Sequence, residues 1–292
     1  MTTNEPLDGV LPVDKPAGPT SHDIVTMTRR ALSTRRVGHT GTLDPFASGL
    51  LLLCIGAATR LAEFLVRLPK RYRARVRLGQ RTETDDHTGR VIAESAGWRD
   101  ITERQLENAL ARFRGDILQV PATFSAKQRS GERAYHAARM GKAVTLDPVR
   151  VQIAELRLVA WDPPDAELDV TCSTGTYVRA LARDIGEELR TGAHLTALRR
   201  TALGPHRVEA ALAVEMLADT ARVRGALIDP LAALGAIPRL PLDEEQLRRV
   251  RHGRALDLAH APGTVALVAE NTLVAIAEAD GEQIRPRKVF GA

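Results

Sequence analysis

The order of hydrophobic and polar positions predicts short strands that alternate with helices. Residues 9–13 predict a strand, and a helix is expected from about residue 21, with a hydroxyl N-cap and Asp23 in its first turn. Within residues 73–78, arginines alternate with apolar residues, which is the period-two pattern of a strand with one buried face. The first third of the chain is therefore expected to mix strands and helices.

Helical spacing recurs further along the chain. Apolar positions predict a helix over 59–68, and Thr102 with Gln105 forms a capping box that opens another helix. Two more strands and the most regular helix are predicted at 151–158, 167–172 and 176–190.

The C-terminal part has a different pattern. Two alternating segments, 265–269 and 272–277, predict strands joined through Glu270-Asn271. A length of 292 residues suggests two domains, and one large domain is also compatible with it. We expect a main domain over 1–235 and a small β domain over 236–292.

The composition is that of a globular protein, with 44% apolar and 26% charged residues. The longest apolar run, 50–55, is far shorter than the ~20 residues that span a bilayer, so no membrane association is expected. No apolar segment typical of a secretion signal stands near the N-terminus. Cys54 and Cys172 stand outside any disulfide or metal-binding pattern, so a cytoplasmic location is expected.

Positive charge is concentrated in 61–160, which holds 19 Lys and Arg against 12 Asp and Glu. Six of these cations lie on or near the alternating strand: Lys70, Arg71, Arg73, Arg75, Arg77 and Arg81. Such a row is either a solvated sheet face or the surface that meets a polyphosphate partner, and charge alone does not separate the two. Because few residues are aromatic, binding of nucleic acid would rest on shape and phosphate contacts rather than on stacking.

The segment 122–147 differs from the rest of the main domain. It lies between Pro121 and Pro148, holds few large apolar residues and is rich in Lys, Arg, Gly and Ser. A stretch of this length and composition inside a domain is usually functional or mobile. It is a candidate basic insertion.

Motifs for common cofactor chemistry, namely GxxxxGK[ST], GxGxxG, HExxH and GxSxG, do not occur in the sequence. No cofactor and no metal are therefore expected. The segment 38–49 is a glycine-rich loop with a single carboxylate, Asp44, before a proline. From these residues alone, Asp44 either opens an Asx-turn or acts in catalysis, and His39 is either a turn residue or a ligand.

The loop 38–49 resembles the signature loop of the bacterial tRNA pseudouridine-55 synthases, the TruB family. Five further blocks resemble segments of that family in the same order: Asp14-Lys15-Pro16, Lys70-Arg71-Tyr72 with Leu78-Gly79, 82–86 with Gly89, 173–179 and 192–200. The resemblance covers about residues 9–205, and the tail after 236 is similar to the small PUA-type domain of these enzymes.

The resemblance implies an α+β pseudouridine synthase fold, with a mixed, largely antiparallel sheet flanked by helices and a PUA-like β domain over 236–292. It implies that the segment at about 122–147 is a basic RNA-binding insertion. The implied activity is the isomerisation of uridine to pseudouridine at position 55, in the T-loop of tRNA, without a cofactor.

The resemblance also assigns roles to single residues. Asp44 matches the nucleophile, Arg179 matches the arginine that pairs with it and lowers its pKa, and Tyr72 matches the tyrosine that stacks on the target base. The other expected substrate contacts are His39, which would help to open the tRNA loop, Tyr177 and Leu198 in the base pocket, and Asp86, a polar nucleotide contact.

Two other functions are compatible with these features. One is a tRNA-binding chaperone that needs no chemistry, and the other is a guide-RNA-dependent relative of the dyskerin type. The presence of Asp44 and Arg179 favours the enzyme over the chaperone, and the segment 122–147 favours a stand-alone enzyme. The expected partner is therefore the T-arm of tRNA, with no guide RNA and no obligate protein partner.

Overall fold

The computed structural model of the chain describes residues 7–122, 128–129, 132–133, 147–235 and 237–290. Its strands are β1 (Gly9–Lys15), β2 (Val37–His39), β3 (Ser48–Ile55), β4 (Lys70–Leu78), β5 (Gln80–Thr82), β6 (Val91–Glu94), β7 (Gly115–Gln119), β8 (Gln128–Arg129), β9 (Glu132–Arg133), β10 (Val149–Asp162), β11 (Asp165–Cys172), β12 (Ala193–Leu203), β13 (His206–Arg207), β14 (Leu212–Ala213), β15 (Arg239–Pro241), β16 (Gly263–Ala269), β17 (Thr272–Ala279) and β18 (Ile284–Val289). Its α-helices are α1 (Ser21–Ala31), α2 (Ala62–Leu65), α3 (Glu103–Ala111), α4 (Val178–Glu188), α5 (Thr220–Ala226), α6 (Pro230–Ala233) and α7 (Glu244–Arg251). The predicted insertion at 122–147 lies almost entirely outside the described residues, so its role stays a prediction.

Strands from distant parts of the sequence form one large mixed sheet. Its order is β14-β1-β3-β12-β4-β11-β10-β7, while β2 and β13 pair with β3 and β12. Among the described strands of this sheet, the pairs β1–β14 and β3–β12 are parallel and the others are antiparallel. The predicted α+β class with a largely antiparallel sheet is confirmed.

Strand β3 lies between β1 and β12 and is buried on both faces. Leu50 and Leu52 pack into one apolar cluster, and Leu51 and Leu53 pack into another on the opposite face. Burial on both faces explains why this strand is a continuous apolar run in the sequence instead of an alternating one.

Helices cover the sheet and close its main cores. Leu106 of α3 and Leu181 of α4 pack with Val76 and Val170 of the sheet, and Ile24 of α1 packs against β1 and β3. In the described part of the chain, no helix combines the length and the apolar character needed to cross a bilayer.

Local sequence signals correctly predicted three of the helices, α1, α3 and α4. Thr20 caps α1, and Thr102 with Gln105 forms the predicted capping box of α3. Helix α4 follows the predicted periodicity but is two residues shorter at each end. The helix predicted over 59–68 is wrong in extent, because tight 3₁₀ turns occupy Gly56–Leu61 and only one α-helical turn follows.

The exposed side of β4 carries four arginines, which we call the arginine row: Arg71, Arg73, Arg75 and Arg77. Each of them has a carboxylate of β10 or β11 within 4 Å. Arg73 Nη1 lies 2.7 Å from Glu167 Oε1, and Arg77 Nη2 lies 2.8 Å from Asp165 Oδ2. These partners neutralise the row, so the structure favours a solvated sheet face over an open phosphate-binding surface.

The C-terminal part forms its own four-stranded sheet in the order β15-β16-β17-β18. Glu270 and Asn271 join β16 and β17 as predicted, and both have positive φ, at 47° and 60°. Two consecutive left-handed residues are the geometry of the type I′ hairpin turn, which matches the twist of the flanking strands.

This small sheet packs tightly against the main body. Ile276 and Phe290 share one apolar cluster with Leu61 and Leu65 of the main body. The guanidinium of Arg60 also lies 5.3 Å from the centre of the Phe290 ring. The two parts of the chain are therefore joined by a common core.

Candidate active site

Three adjacent strands bring the predicted site residues together. Arg200 of β12 lies opposite Gly49 of β3 on one side and opposite Tyr72 of β4 on the other. Gly49 has a φ of +104°, and a Cβ at this position would lie 2.3 Å from the carbonyl oxygen of Arg200. Only glycine allows this approach. Since β3 follows the loop of Asp44, the close contact fixes that loop against β12.

A cavity of about 270 Å³ opens at this junction. Its wall is formed by the loop before β3, by β4 and β12, and by the start of α4. Five of the predicted site residues line it, namely Asp44, Tyr72, Tyr177, Arg179 and Leu198. Two predicted residues, His39 and Asp86, are not in its wall.

Asp44 and Arg179 face each other in this cavity. Arg179 Nε lies 2.9 Å from Asp44 Oδ2, and Arg179 Nη2 donates to Asp44 Oδ1 over 3.3 Å. Two such contacts from one planar guanidinium orient the carboxylate as well as balancing its charge. The side chain of Asp44 is 36% exposed whereas that of Arg179 is 6% exposed, so the carboxylate is the accessible member of the pair.

Burial raises the pKa of Asp44 above its usual value. The neighbouring Arg179 opposes this rise without cancelling it, and the negative charge of Asp86 adds to it. Arg179 thus lowers the pKa of Asp44 as expected, but the net shift of that pKa is upward because burial has the larger effect. The charge of the partner is predictable from the sequence, whereas the loss of solvation depends on the fold.

The guanidinium of Arg179 also binds groups other than Asp44. Its Nη1 donates to the carbonyl oxygen of Thr84 over 3.0 Å and lies 3.5 Å from Asp86 Oδ2. Asp86 is buried, and its Oδ1 accepts hydrogen bonds from Thr84 Oγ1 at 2.8 Å and Thr88 N at 2.9 Å. In this arrangement Asp86 supports Arg179 and is not in the position expected for a nucleotide contact.

The remaining cavity wall is suited to a flat heterocycle. Tyr72 and Leu198 are buried and reach the cavity from the adjacent strands β4 and β12. Burial raises the pKa of Tyr72, while the charge of Arg200 opposes the rise. Tyr177, immediately before α4, is half-buried in the same wall. Aromatic and aliphatic surfaces of this kind hold an extruded base by stacking and packing.

His39 ends β2, on the loop that also carries Asp44. Its Nδ1 accepts a hydrogen bond from the backbone N–H of Gly41 over 3.3 Å, so Nε2 carries the proton of the neutral ring. Burial and the charge of Arg200 lower the pKa of His39, which favours this neutral form at pH 7. The structure thus places His39 near the cavity but outside its wall.

Lys15 is a buried site residue to which sequence analysis assigned no role. Its Nζ donates to the carbonyl oxygens of Pro16 and Pro19, both at 2.8 Å, and to that of Pro45 at 3.3 Å. It therefore ties the residue after Asp44 to the end of β1. Burial lowers the pKa of Lys15 to about 8. The block Asp14-Lys15-Pro16 was the one sequence signal for it.

Arg200 is the second buried cation that sequence analysis missed. Its side chain lies inside the molecule, with Nε donating to Leu50 O over 2.7 Å and Nη2 donating to Gly41 O over 3.1 Å. These bonds join β12 to both ends of the loop that carries Asp44.

Within the described residues, no group of three or more His, Cys, Asp or Glu is arranged to hold a metal ion.

Comparison with known proteins agrees with this geometry. The family profile described as TruB family pseudouridylate synthase, N-terminal domain, matches residues 29–178. The chain belongs to the TruB family. Two further profiles match the segments that follow. These are tRNA pseudouridylate synthase B C-terminal domain over 179–231, and tRNA pseudouridine synthase II, C-terminal, over 237–291. As a TruB-family protein the chain is an isomerase that converts uridine to pseudouridine.

Curated relatives cover nearly the whole chain. A protein of Burkholderia lata named tRNA pseudouridine synthase B is 44% identical, over 96% of this chain and 83% of its own. Proteins with the same name from Mycobacterium sp. (strain KMS) and Symbiobacterium thermophilum are 43% and 47% identical, over 94% and 85% of this chain and 93% and 83% of their own.

Solved structures support the fold of this TruB-family chain. The archaeal box H/ACA sRNP Nop10-Cbf5 complex contains a chain that is 24% identical with a TM-score of 0.74, covering 97% of this chain and 86% of that one. A chain of a Cbf5-Nop10-Gar1 complex is 26% identical with a TM-score of 0.76, covering 97% and 85%.

The raised pKa of Asp44 leads to a prediction about pH. If ionised Asp44 is needed, the rate falls as the pH drops through its pKa, and this acid limb should lie above the usual aspartate value of 3.8. The measurement is single-turnover pseudouridine formation at saturating enzyme across acid pH, with folding followed in parallel by circular dichroism. An acid limb at or below 3.8 in a folded enzyme would contradict the prediction.

Proposed function

We propose that the protein isomerises the uridine at position 55, in the T-loop of tRNA, with Asp44 as the nucleophile and without a cofactor. The observation that carries this proposal is the paired contact between Arg179 and the accessible carboxylate of Asp44, in a cavity with an aromatic and aliphatic wall. The names of the curated relatives support tRNA as the substrate.

The proposed chemistry is an exchange of one glycosidic bond for another. A carboxylate oxygen of Asp44 attacks either the uracil ring or the ribose C1′, and the bond between C1′ and N1 breaks. The uracil turns within the cavity, and a bond forms between C1′ and C5. The proton leaves C5, N1 gains one, and Asp44 is released. No net oxidation or reduction occurs, so the balance requires no redox partner.

The other site residues hold the reactants in place for these steps. Arg179 keeps Asp44 oriented, and Tyr72, Tyr177 and Leu198 enclose the extruded base. His39 is outside the cavity wall, so we assign it to the opening of the tRNA loop.

Residues 1–235 are proposed to form the catalytic domain and 236–292 a PUA-like RNA-binding domain. The separate four-stranded sheet of the C-terminal part supports this division. The TruB-family enzyme is proposed to act alone on the T-arm, without guide RNA and without an obligate protein partner.

An unmodified tRNA transcript and the purified protein are sufficient to test the proposed function. We expect pseudouridine at position 55 in the absence of other RNA or protein, and no product when that uridine is replaced by cytidine. Product elsewhere in the tRNA would contradict the T-loop assignment. Activity that appears only after addition of a guide RNA would indicate the dyskerin-type alternative, and refolding of tRNA without product would indicate the chaperone.

The neutralised arginine row leads to a prediction about RNA binding. Because Arg73 and Arg75 already have carboxylate partners, Arg73→Gln and Arg75→Gln should each change the Kd for tRNA by less than about threefold at moderate salt. They should also leave the slope of log K against log salt unchanged. A phosphate contact would instead contribute about −0.7 to −0.9 to that slope. A slope that becomes less negative by this amount in either variant would therefore contradict the prediction.

A further inference from the structure

Gln119 is a buried polar residue outside the predicted site, at the last position of β7. This strand is the edge of the large sheet, yet the Gln119 side chain is completely buried. Its Oε1 accepts a hydrogen bond from the backbone N–H of Tyr177 at 2.9 Å, and its Nε2 donates to the carbonyl oxygen of Tyr177 at 3.1 Å. The side-chain amide therefore binds both backbone groups of one residue, as a neighbouring strand would.

Tyr177 is the residue on which α4 begins. It occupies the N-cap position, and its own side chain makes no capping hydrogen bond. Its carbonyl oxygen also accepts the helical hydrogen bond from Leu181 N at 3.0 Å. A capping side chain usually holds the first turn of a helix in place. Here Gln119 of β7 does so for α4, from outside the helix.

The start of α4 determines where two cavity residues lie. Tyr177 lines the cavity directly, and Arg179 follows two residues later in the first turn. A second contact joins the same elements, because Arg183 Nη2 of α4 donates to Val120 O over 2.8 Å. A shift of α4 along this contact would change the approach of Arg179 to Asp44.

We propose that Gln119 is a positioning residue for the pseudouridine synthase reaction, which holds the backbone of Tyr177 so that Arg179 meets Asp44 in the reactive geometry. This inference rests on the proposed role of Asp44 as the nucleophile. Gln119 touches neither the substrate nor the reacting atoms. Its effect on the rate passes through the first turn of α4.

The first test is Gln119→Met, which keeps the length of the side chain and removes both hydrogen bonds. We expect a single-turnover rate at least about tenfold lower at saturating enzyme, because small displacements of reacting groups reduce rates strongly. The Kd for tRNA should change by less than about threefold. The exposed neighbour on the same strand gives the matched control Leu118→Met, which should behave as the wild type.

The pH profile separates positioning from general support of the fold. If Arg179 is held less well, the rise of the Asp44 pKa through burial is less opposed, so the acid limb of Gln119→Met should move to higher pH. An unchanged rate overturns the proposal. A lower rate with the acid limb in its wild-type place also overturns it.

Gln119→Glu provides a second variant in case Gln119→Met does not fold. A protonated carboxyl group can accept from Tyr177 N–H and donate to its carbonyl oxygen, whereas the ionised form has no donor. The rate relative to wild type should therefore rise as the pH falls, and a constant ratio would contradict the proposal. If wild type forms pseudouridine but Asp44→Asn does so equally well, the nucleophile assignment fails, whatever the result for Gln119.

Discussion

Asp44→Asn is expected to abolish pseudouridine formation while the Kd for tRNA changes by less than about tenfold, or ~1.4 kcal/mol. Asparagine has nearly the same shape as aspartate and can still accept one hydrogen bond from Arg179, so the cavity should remain intact. Its amide is not a nucleophile of comparable strength, and it cannot form and release the covalent adduct. Affinity is retained because the remaining cavity wall is unchanged.

The measurement is single-turnover product formation at saturating enzyme, combined with a binding titration on the same tRNA. Asp169→Asn is the matched control, since Asp169 is a carboxylate that pairs with Arg73 in the arginine row, away from the cavity wall. It should retain wild-type turnover. Isomerisation by Asp44→Asn within a few-fold of wild type would rule out Asp44 as the nucleophile.

Replacement of Arg179 is expected to give the second largest effect. Arg179→Lys keeps the charge but loses the planar pair of contacts to Asp44, and turnover should fall at least about tenfold. Arg179→Ala should lose about a hundredfold or more, because one electrostatic contact in a transition state is commonly worth ~2.7–4 kcal/mol. The acid limb should also move to higher pH in Arg179→Ala, since the burial of Asp44 is then opposed less.

Single-turnover rates at saturating enzyme keep affinity out of this comparison. Arg112→Lys serves as the matched control, because Arg112 is a largely exposed arginine that pairs with Glu188 at 2.7 Å, at the far end of α4. It should match wild type. Equal rates for Arg179→Lys and wild type would show that the paired contact has no part in the reaction.

Features that depend on neighbouring residues in the chain were predictable from the sequence. The hydroxyl N-cap of α1, the capping box of α3 and the periodicity of α4 are local patterns, and the structure contains all three. The alternation along β4 correctly predicted a strand with one buried face. The residues of the site itself were found through the resemblance of the 38–49 loop and five further blocks to a known family, since Asp44 alone suggested a turn as much as a nucleophile.

Features that depend on partners distant in the sequence were not predictable. From the sequence, the arginine row fitted either a solvated sheet face or a phosphate-binding surface, and only the opposing carboxylates Asp165, Glu167 and Asp169 of β11 separate the two. Arg200 has no sequence pattern that marks it as buried, because its partners are carbonyl oxygens about 150 residues away. The direction of the Asp44 pKa shift was not predictable either, because it depends on how deeply the fold buries this carboxylate.

The apolar core shared by the main body and the C-terminal sheet has a consequence for folding. Because Ile276 and Phe290 complete the apolar cluster that contains Leu61 and Leu65, removal of the C-terminal strands would expose that cluster to water. Where the two parts meet, their apolar side chains pack into this one cluster, so neither part has a solvent-facing surface of its own there. The protein should therefore melt in a single cooperative transition, with one calorimetric peak, and a truncated main domain should aggregate on expression instead of accumulating as a stable fragment.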